Sequence, residues 1–262
     1  MRHRLVEEAA KLIASSSYVV VFTGAGISTE SGIPDFRGPS GLWKRIDPAK
    51  FSIEYFYEDP DEVWKLFIQF FENYRRARPN PAHYAIAELE RIGVVKSVIT
   101  QNVDGLHQAA GSRRVIELHG SLRYAVCINC GYKVSLEEAI EEARRAARAP
   151  RCPRCGMPLK PGVVFFGEAL PRKALEEAFE EAGRADLVLV VGSSLTVYPA
   201  AYIPQYAKER GAKLLIINMT PTASDYIADL VIRGKAGEVL PAITREVKKL
   251  KGIEGDIVRQ GC

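Results

Sequence analysis

The sequence predicts an α/β protein with a doubly wound parallel sheet and a smaller lobe formed by two insertions. Six short runs rich in Val, Ile and Leu are nearly continuous in hydrophobicity, as strands buried on both faces of a parallel sheet must be. Amphipathic helical patterns separate many of these runs. Two segments break the alternation, and one of them carries two C-x-x-C pairs. The main sheet is therefore expected to be Rossmann-like.

The predicted strands lie at 18–22, 96–100, 114–118, 185–191, 213–218 and 230–232. One helix is predicted over 81–93, with Asn80 as its N-cap, Pro81 at its first position and Gly93 at its end. A second amphipathic helix is predicted over 171–183. Alternation of this kind is typical of strands and helices in a doubly wound sheet.

The composition is that of an ordinary globular protein, with 262 residues, 47% hydrophobic and 26% charged. A net charge of +4 is dispersed, because Lys and Arg alternate with Glu, so direct nucleic-acid binding is not expected. No apolar run reaches the roughly 18 residues of a membrane span. The basic N-terminus could begin a signal peptide, but Glu7, Glu8 and Lys11 interrupt it and the apolar residues follow an amphipathic helical pattern, so we expect a cytoplasmic protein.

The chain is expected to divide into discontinuous parts. Residues 1–33, 80–120 and 161–262 form the predicted Rossmann-like domain, which could bury one sizeable core. Residues 34–79 form a loop and a helical insertion whose helix has Asp59 as its predicted cap. Residues 121–160 form the insertion that carries the cysteine pairs.

Polar or glycine residues follow every predicted strand. They read TGAG, QNVD, HG, GSS, Asn218 with MT, and RGKAG, in chain order. Ligands of open parallel sheets bind outside the carboxyl ends of the strands. Any single one of these stretches could be a turn, but together they predict a binding edge.

The stretch TGAGISTESGIPDFRG follows the first strand and predicts a phosphate-binding turn. Gly24, Ala25 and Gly26 would let the backbone approach a pyrophosphate. Thr29 stands where the third glycine of a dinucleotide motif belongs, and a long punctuated loop is expected where that motif continues into a helix. A simple tight turn is an equal alternative for this motif taken alone.

The two cysteine pairs predict one structural zinc site. Cys127 and Cys130 are separated by 21 residues from Cys152 and Cys155, which is close to the spacing of two zinc knuckles. Gly131 and Gly156 each follow a second cysteine, where a knuckle needs a small residue. Four thiolates would leave no position for a catalytic water. Buried thiols without a metal are the alternative.

His119 is the predicted general base, because it ends a buried strand at the ligand edge. A structural histidine is an equally good interpretation of its position alone. His3 and His83 lie at or near helix starts and are expected to be structural, and His107 is expected to anchor a helix.

Read in order, GAGIS, GIPDFRG, TQNVDGLH, ELHG, the cysteine pairs, VVFFGE and GSSLTVYPA resemble the sirtuin family of NAD-dependent protein lysine deacylases, in its prokaryotic form. The resemblance runs from about Tyr18 to Gly237. It implies that the loop after Gly26 folds over NAD, the co-substrate.

The resemblance also implies a set of NAD contacts. Gly24, Ala25 and Gly26 would meet the pyrophosphate, Phe36 would shield the nicotinamide ribose, and Gln101 and Asn102 would contact that ribose. The complete cofactor set is Gly24, Ala25, Gly26, Thr29, Phe36, Arg37, Gln101, Asn102, Val103, Asp104, Gly192, Ser193, Ser194, Asn218 and Ala236. Of these, Asn102 and Asp104 would join His119 as catalytic residues.

For the substrate, the resemblance implies an acyl-lysine peptide bound as an extended strand between two segments. The implied contacts are Phe67, Phe70, Val164, Phe166, Gly167, Glu168, Leu195 and Val197. The acyl oxygen would attack the ribose as nicotinamide leaves, giving O-acyl-ADP-ribose and free lysine. Transfer of ADP-ribose to protein from the same site, and a non-catalytic zinc-ribbon binding module, are the alternatives.

The acyl group is predicted to be neutral. Sirtuins that prefer succinyl or malonyl lysine carry a Tyr and an Arg three residues apart on the helix of the first insertion, and this chain resembles them around SLR and RGKAGEV. Phe67 and Phe70 occupy the matching positions here. An acidic group would lack a partner there, so acetyl, or a longer neutral chain, is expected. Simple packing of the two rings is the alternative.

Overall fold

The computed structural model describes residues 2–36, 38, 41–44 and 46–253. Its strands are β1 (Val19–Thr23), β2 (Val95–Thr100), β3 (Val115–Glu117), β4 (Gly120–Cys127), β5 (Lys133–Ser135), β6 (Leu159–Val163), β7 (Leu187–Val191), β8 (Lys213–Ile217) and β9 (Leu230–Ile232). Its helices are α1 (Arg2–Ser15), α2 (Ile53–Glu58), α3 (Pro60–Arg76), α4 (Pro81–Arg91), α5 (Leu106–Ala109), α6 (Leu136–Ala146), α7 (Arg172–Arg184), α8 (Tyr202–Glu209) and α9 (Ala236–Leu250).

The six predicted strands form one parallel sheet in the order β3-β2-β1-β7-β8-β9. Every residue of β1 and β7 is buried, which explains their unbroken runs of Val and Leu. The strand order reverses between β1 and β7, and such a switch point opens a crevice at the carboxyl ends of the strands. The doubly wound prediction is confirmed.

Helices cover both faces of this sheet. The core on one face joins α1, α4 and α9 to β1, β2 and β8, and the core on the other joins α7 and α8 to β1 and β7. The Asn80 side chain accepts from the Ala82 N–H at 2.9 Å, so the predicted cap of α4 is confirmed. That helix ends before the predicted Gly93, which adopts a left-handed conformation just beyond it.

The two insertions pack together into a second lobe. A three-stranded antiparallel sheet, β5-β4-β6, lies against the aromatic residues of α3 and against α6. Asp59 caps α3 by accepting from the Glu62 N–H at 2.9 Å, as predicted. Trp64 is buried in this lobe, and its indole N–H donates to the Leu159 carbonyl at 2.7 Å. The domain boundaries stay a prediction.

The chain directly after Gly24 differs from the predicted long loop. Residues Ala25–Ser31 form a 3₁₀ helix, and Gly32 ends it with a φ of 86°. The Thr29 hydroxyl supports this turn by donating to the Gly26 carbonyl at 2.9 Å. The irregular loop therefore begins at Ile33. Within the described ranges, no helix is long and apolar enough to cross a membrane.

Candidate active site

A cavity of ≈ 830 Å³ lies where the ends of β1, β2 and β7 face the second lobe. The sheet side supplies glycines, amides, carboxylates and hydroxyls. The lobe side supplies phenylalanine, tryptophan and tyrosine rings. This combination of a large apolar cavity with a few converging polar groups is typical of a small-molecule site.

The glycines at the ends of β1 and β7 allow the two loops to touch directly. Gly26 N–H donates to the Gly192 carbonyl at 2.8 Å, and a Cβ on Gly26 would lie 2.7 Å from that oxygen. Gly192 has a φ of 64°, and a Cβ there would lie 2.2 Å from the Ile27 nitrogen. Loop packing alone thus requires glycine at both positions, whatever ligand the cavity holds.

A buried hydrogen-bond cluster joins the 3₁₀ helix to the residues after β2. Ser28 donates to the Asp104 carboxylate at 2.7 Å, and the Leu106 N–H donates to its other oxygen at 2.9 Å. The Asn102 amide donates to the Gly24 carbonyl at 3.2 Å. Burial raises the pKa of Asp104, although both hydrogen bonds oppose the shift. Asn102 and Asp104 are therefore held rigidly at the cavity wall.

His119 lines the cavity with a defined tautomer. Its Nδ1 lies 2.9 Å from the Gln101 carbonyl oxygen. Because a carbonyl only accepts, Nδ1 carries the hydrogen, and Nε2 of the neutral ring is left with a free lone pair. Burial lowers the pKa of His119 below its usual 6.5, and the bond to Gln101 partly opposes this. The ring is therefore suited to accept a proton at Nε2 near neutral pH.

The other described histidines have structural positions. The His107 Nε2 lies 2.9 Å from the Thr23 hydroxyl and so ties α5 to the end of β1. The His83 and His107 rings are 5.0 Å apart, and both are buried. Burial lowers the pKa of His83 to about 4 and that of His107 to about 3. His3 is exposed on α1, 3.3 Å from Glu7.

Residues 163–168 cross the cavity between the sheet and the lobe. Because they include several predicted peptide contacts, we call them the substrate segment. The Val164 N–H donates to the His119 carbonyl at 2.8 Å. Phe166 pairs with the first insertion on both sides of its backbone: its N–H donates to the Phe51 carbonyl at 3.0 Å, and its carbonyl accepts from the Ile53 N–H at 2.9 Å. The segment is thus tied both to His119 and to the lobe.

Phe67 and Phe70 both line the cavity and both take part in packing. The Phe67 ring lies 5.6 Å from Trp64 in an edge-on arrangement, and the Phe70 ring lies 6.1 Å from Phe51. Phe36 stacks on Trp43 at 5.1 Å, and Trp43 lies 5.7 Å from Phe166. An unbroken group of rings therefore connects the loop after the 3₁₀ helix to the substrate segment.

Most of the predicted site residues line this cavity. These are Gly24, Ala25, Gly26, Phe36, Phe67, Phe70, Gln101, Asn102, Val103, Asp104, His119, Val164, Phe166, Gly167, Glu168, Gly192, Ser193, Ser194, Val197 and Asn218. Three of the predicted NAD and peptide contacts that the structure describes do not line it: Thr29 is exposed, Ala236 is buried at the start of α9, and Leu195 is buried in the core that includes α7 and α8. Arg37 lies outside the described residues.

Sequence reasoning missed several lining residues. Ser28 could have been predicted from the sequence, because it carries the only hydroxyl of the GAGIS stretch and lies about one turn after Gly24. Trp43, Tyr74 and Leu122 also line the cavity. They come from the insertions and follow no strand of the main sheet, so only their place in the lobe reveals them.

The four paired cysteines converge at the outer end of the lobe. Their Sγ atoms all lie within 4.8 Å of one another, with separations of 3.4 Å for Cys127–Cys155 and 3.6 Å for Cys130–Cys152. Gly131 and Gly156 both take a left-handed conformation, so the two knuckles share one backbone shape. Four thiolates around zinc at about 2.3 Å would stand about 3.8 Å apart, so this site fits a tetrahedral structural zinc.

The sequence profile of the Sir2 family matches residues 24–199, which span the glycine turn, His119, the cysteine pairs and the substrate segment. The chain belongs to the Sir2 family. It is 57% identical to an NAD-dependent protein deacetylase 1 from Pyrobaculum aerophilum over 95% of this chain and 96% of that one. It is 53% identical to an NAD-dependent protein deacylase 2 from Archaeoglobus fulgidus over 94% and 97%.

A solved Sir2 structure with a p53 peptide and NAD⁺ is similar throughout. Its TM-score is 0.85 at 41% identity, covering 94% of this chain and 98% of that chain. As a Sir2 protein with such relatives, the chain is an NAD-dependent protein deacylase. The sheet with its cysteine-bearing lobe is therefore the Sir2 fold, as the sequence predicts.

Proposed function

We propose that this enzyme removes acetyl, or longer neutral acyl, groups from lysine side chains in extended protein segments. With the consumption of one water, which releases the lysine nitrogen from the acyl group, the products would be nicotinamide, O-acyl-ADP-ribose and free lysine. The proposal depends above all on the position and protonation state of His119. This histidine combines a fixed tautomer, a lowered pKa and a place on the cavity wall between the polar sheet edge and the apolar lobe. The reaction is proposed to take place in the cytoplasm.

The sheet side of the cavity is proposed to hold NAD. Gly24, Ala25 and Gly26 would let the pyrophosphate approach the backbone, with the Ala25 N–H as a donor, because the Gly24 and Gly26 N–H groups already donate to the carbonyls of Val191 and Gly192. Ser193 and Asn218 would serve its ribose and adenosine. A row of glycines and small polar side chains without competing bulk fits such a ligand. When bound, NAD supplies the ribose that accepts the acyl group as nicotinamide departs.

His119 and its neighbours are proposed to position NAD and to deprotonate its ribose hydroxyl. Asn102 and Asp104, held by Ser28, would orient the nicotinamide end of NAD. The neutral His119 ring would take a ribose hydroxyl proton at Nε2, while its Nδ1–H continues to donate to the Gln101 carbonyl. Phe36, stacked on Trp43, would exclude water from the reacting atoms.

The substrate peptide is proposed to add as a strand to the substrate segment, with residues near Val197 on its other side. Both sides line the cavity, whose lobe end holds Phe67 and Phe70. An acyl-lysine chain that enters between the two sides would direct its acyl group toward these rings. A carboxylate would be left unpaired against them, which explains the expected preference for neutral acyl groups.

Mass spectrometry of the products formed from NAD and a panel of acyl-lysine peptides tests this function. The panel should include acetyl, butyryl, octanoyl and succinyl peptides of one sequence. We expect O-acyl-ADP-ribose and free lysine peptide in equal amounts, with acetyl peptide consumed first. ADP-ribose attached to the peptide or to the enzyme, without O-acyl-ADP-ribose, would contradict the proposal and favour ADP-ribosyl transfer.

A further inference from the structure

Lys160 is a buried lysine in β6 to which the function above gives no role. Its side chain is only 5% exposed, in a strand of the second lobe. Burial lowers its pKa, and the carboxylate of Glu168 opposes that shift. Burying an ammonium group is costly unless its donors are satisfied, so its partners indicate what the lysine is for.

All three donors of the Lys160 ammonium have acceptors. Nζ lies 2.5 Å from the Val163 carbonyl, 3.1 Å from the Pro161 carbonyl and 3.0 Å from the Glu168 carboxylate. It also lies 4.4 Å from the centre of the Phe165 ring. An ammonium has three hydrogens to donate, so this arrangement uses its full capacity.

These partners lie at both ends of the substrate segment. Val163 is its first residue and Glu168 is its last. The Glu168 oxygen that Lys160 contacts also accepts from the Phe165 N–H at 2.7 Å. Lys160 therefore holds the segment in a loop by contacting Val163 at its beginning, Phe165 in its middle and Glu168 at its end.

The shape of that loop determines where a peptide can lie relative to His119. Val164 is hydrogen-bonded to the His119 carbonyl, and Phe166 is paired with residues 51 and 53. Residues 163–168 line the cavity, whereas Lys160 does not. Any influence of Lys160 on a bound peptide must therefore pass through the position of the segment.

We propose that Lys160 is a positioning residue for the acyl-lysine substrate. Its ammonium holds the substrate segment in the conformation onto which the peptide adds, and so sets how tightly the peptide binds beside His119. Glu168, which the sequence suggested as a peptide contact, acts instead as the anchor for Lys160. The inference depends on the proposed function, because it assumes that a peptide binds this segment.

The test compares Lys160→Met with wild type for peptide KM, kcat and NAD affinity. We expect the KM for acetyl-lysine peptide to rise on the order of 10²-fold, because a displaced segment loses several of the main-chain hydrogen bonds that give strand addition its affinity. The Kd for NAD without peptide, measured by calorimetry, should stay within twofold, because the partners of Lys160 among the described residues are Pro161, Val163, Phe165 and Glu168, none of them a predicted NAD contact. Lys160→Arg keeps the charge but places a larger planar group in the buried site, so it should recover only part of the loss.

Lys133→Met is the matched control, because Lys133 is an exposed lysine of the same small sheet. Its peptide KM should equal that of wild type. Glu168→Gln is the second variant if Lys160→Met does not fold; it keeps the Phe165 contact but removes the charge. Its peptide KM should rise about tenfold, a smaller misplacement than full loss of the ammonium gives.

The outcomes separate this inference from the function on which it depends. If wild type neither binds a labelled acetyl peptide in fluorescence anisotropy nor consumes it, both are contradicted. If wild type consumes the peptide and folded Lys160→Met has an unchanged peptide KM, only the positioning role is contradicted. A purely structural role predicts that peptide KM stays constant while the melting temperature and the active fraction fall together.

Discussion

The two sides of the cavity are constructed differently. The sheet side is made of strand ends, and its glycines touch across the switch point so closely that no side chain fits between them. The lobe side is made of aromatic side chains from two insertions, joined at their outer end by four cysteines. One side is fixed by backbone contact, whereas the other is fixed by side-chain packing.

This difference indicates where the enzyme can vary. Under the proposed function, a change on the sheet side would alter the backbone that holds Asn102, Asp104 and His119, and so would affect the reaction of every substrate. Under the proposed function, a change in the rings that line the lobe side would mainly alter the shape and polarity around the acyl group. Chemistry and acyl selectivity are therefore separable in this architecture, and the predictions below test that separation.

Loss of the metal should disrupt the lobe side most strongly. Removal of zinc with a chelator, or Cys127→Ala, should unfold the lobe and abolish deacylation, because a closed four-thiolate site contributes folding energy. NAD binding to the sheet side should persist at least in part. Circular dichroism, calorimetry and a zinc assay on the same sample measure these effects. Cys262→Ala, which changes the fifth cysteine, is the control; an unchanged melting temperature after chelation would contradict a structural zinc.

Loss of the base should disrupt the chemistry and leave both sides assembled. His119→Ala should lower kcat/KM for acetyl peptide by about 10²–10⁴-fold, the usual contribution of a general base. The Kd for NAD should change little. His3→Ala, which removes an exposed histidine, should behave as wild type. Turnover close to wild type in His119→Ala would remove this residue from the mechanism.

Acyl selectivity should respond to the lobe side alone. Wild type should favour acetyl over succinyl peptide by about 10²-fold, since an unpaired carboxylate near Phe67 and Phe70 costs a few kcal/mol. Phe70→Arg should reduce that ratio by about tenfold or more through charge pairing. Phe70→Leu is the apolar control and should keep the wild-type ratio. Faster succinyl than acetyl turnover by wild type would show that the neutral-acyl assignment is wrong.

The histidine pair behind the sheet side predicts a pH dependence of stability. The pKa values of His83 and His107 in the folded protein, about 4 and about 3, lie below their unfolded value of 6.5. Above pH 6.5 both rings are neutral in both states, so stability is complete. Below it the unfolded chain binds protons that the folded chain does not, and each ring lowers the free energy of unfolding by about 1.4 kcal/mol per pH unit.

Urea denaturation between pH 7 and pH 5 measures this loss. The variant with both His83→Gln and His107→Gln should show a flatter profile over the same range. Equal slopes for that variant and wild type would mean that other groups cause the pH dependence. Because neither histidine lines the cavity, the pH profile of deacylation should follow His119 instead.

The sheet side could be predicted from sequence because its residues obey a rule of position. Asn102, Ser193 and Asn218 follow buried strands, and parallel strands bring their carboxyl ends to one edge. The sequence also predicts the glycines as part of a phosphate-binding turn. It does not reveal their second role, which is direct backbone contact with the loop after β7. Leu195 was assigned to the substrate by its place in a motif, yet its side chain turns into the core.

Several cavity-lining residues of the lobe side could not be predicted from sequence, because they are brought to the cavity by packing between segments that are distant in the chain. The cysteine spacing and the Asp59 cap were local signals, and both predicted structure correctly. Trp43 lines the cavity because its ring packs between Phe36 and Phe166, and these two phenylalanines lie far apart in the chain. The anchoring of the substrate segment by Lys160 depends on the same kind of long-range geometry.

The aromatic group around Trp43 gives the protein an internal optical reporter. The sequence contains two tryptophans, and they occupy different surroundings. Trp43 stacks on Phe36 at the cavity, whereas Trp64 is sealed in the lobe with its indole N–H on the Leu159 carbonyl. Occupation of the cavity should therefore shift the emission of Trp43 alone, and melting of the lobe should shift that of Trp64. A Trp64→Phe variant would let intrinsic fluorescence follow ligand entry without any attached dye.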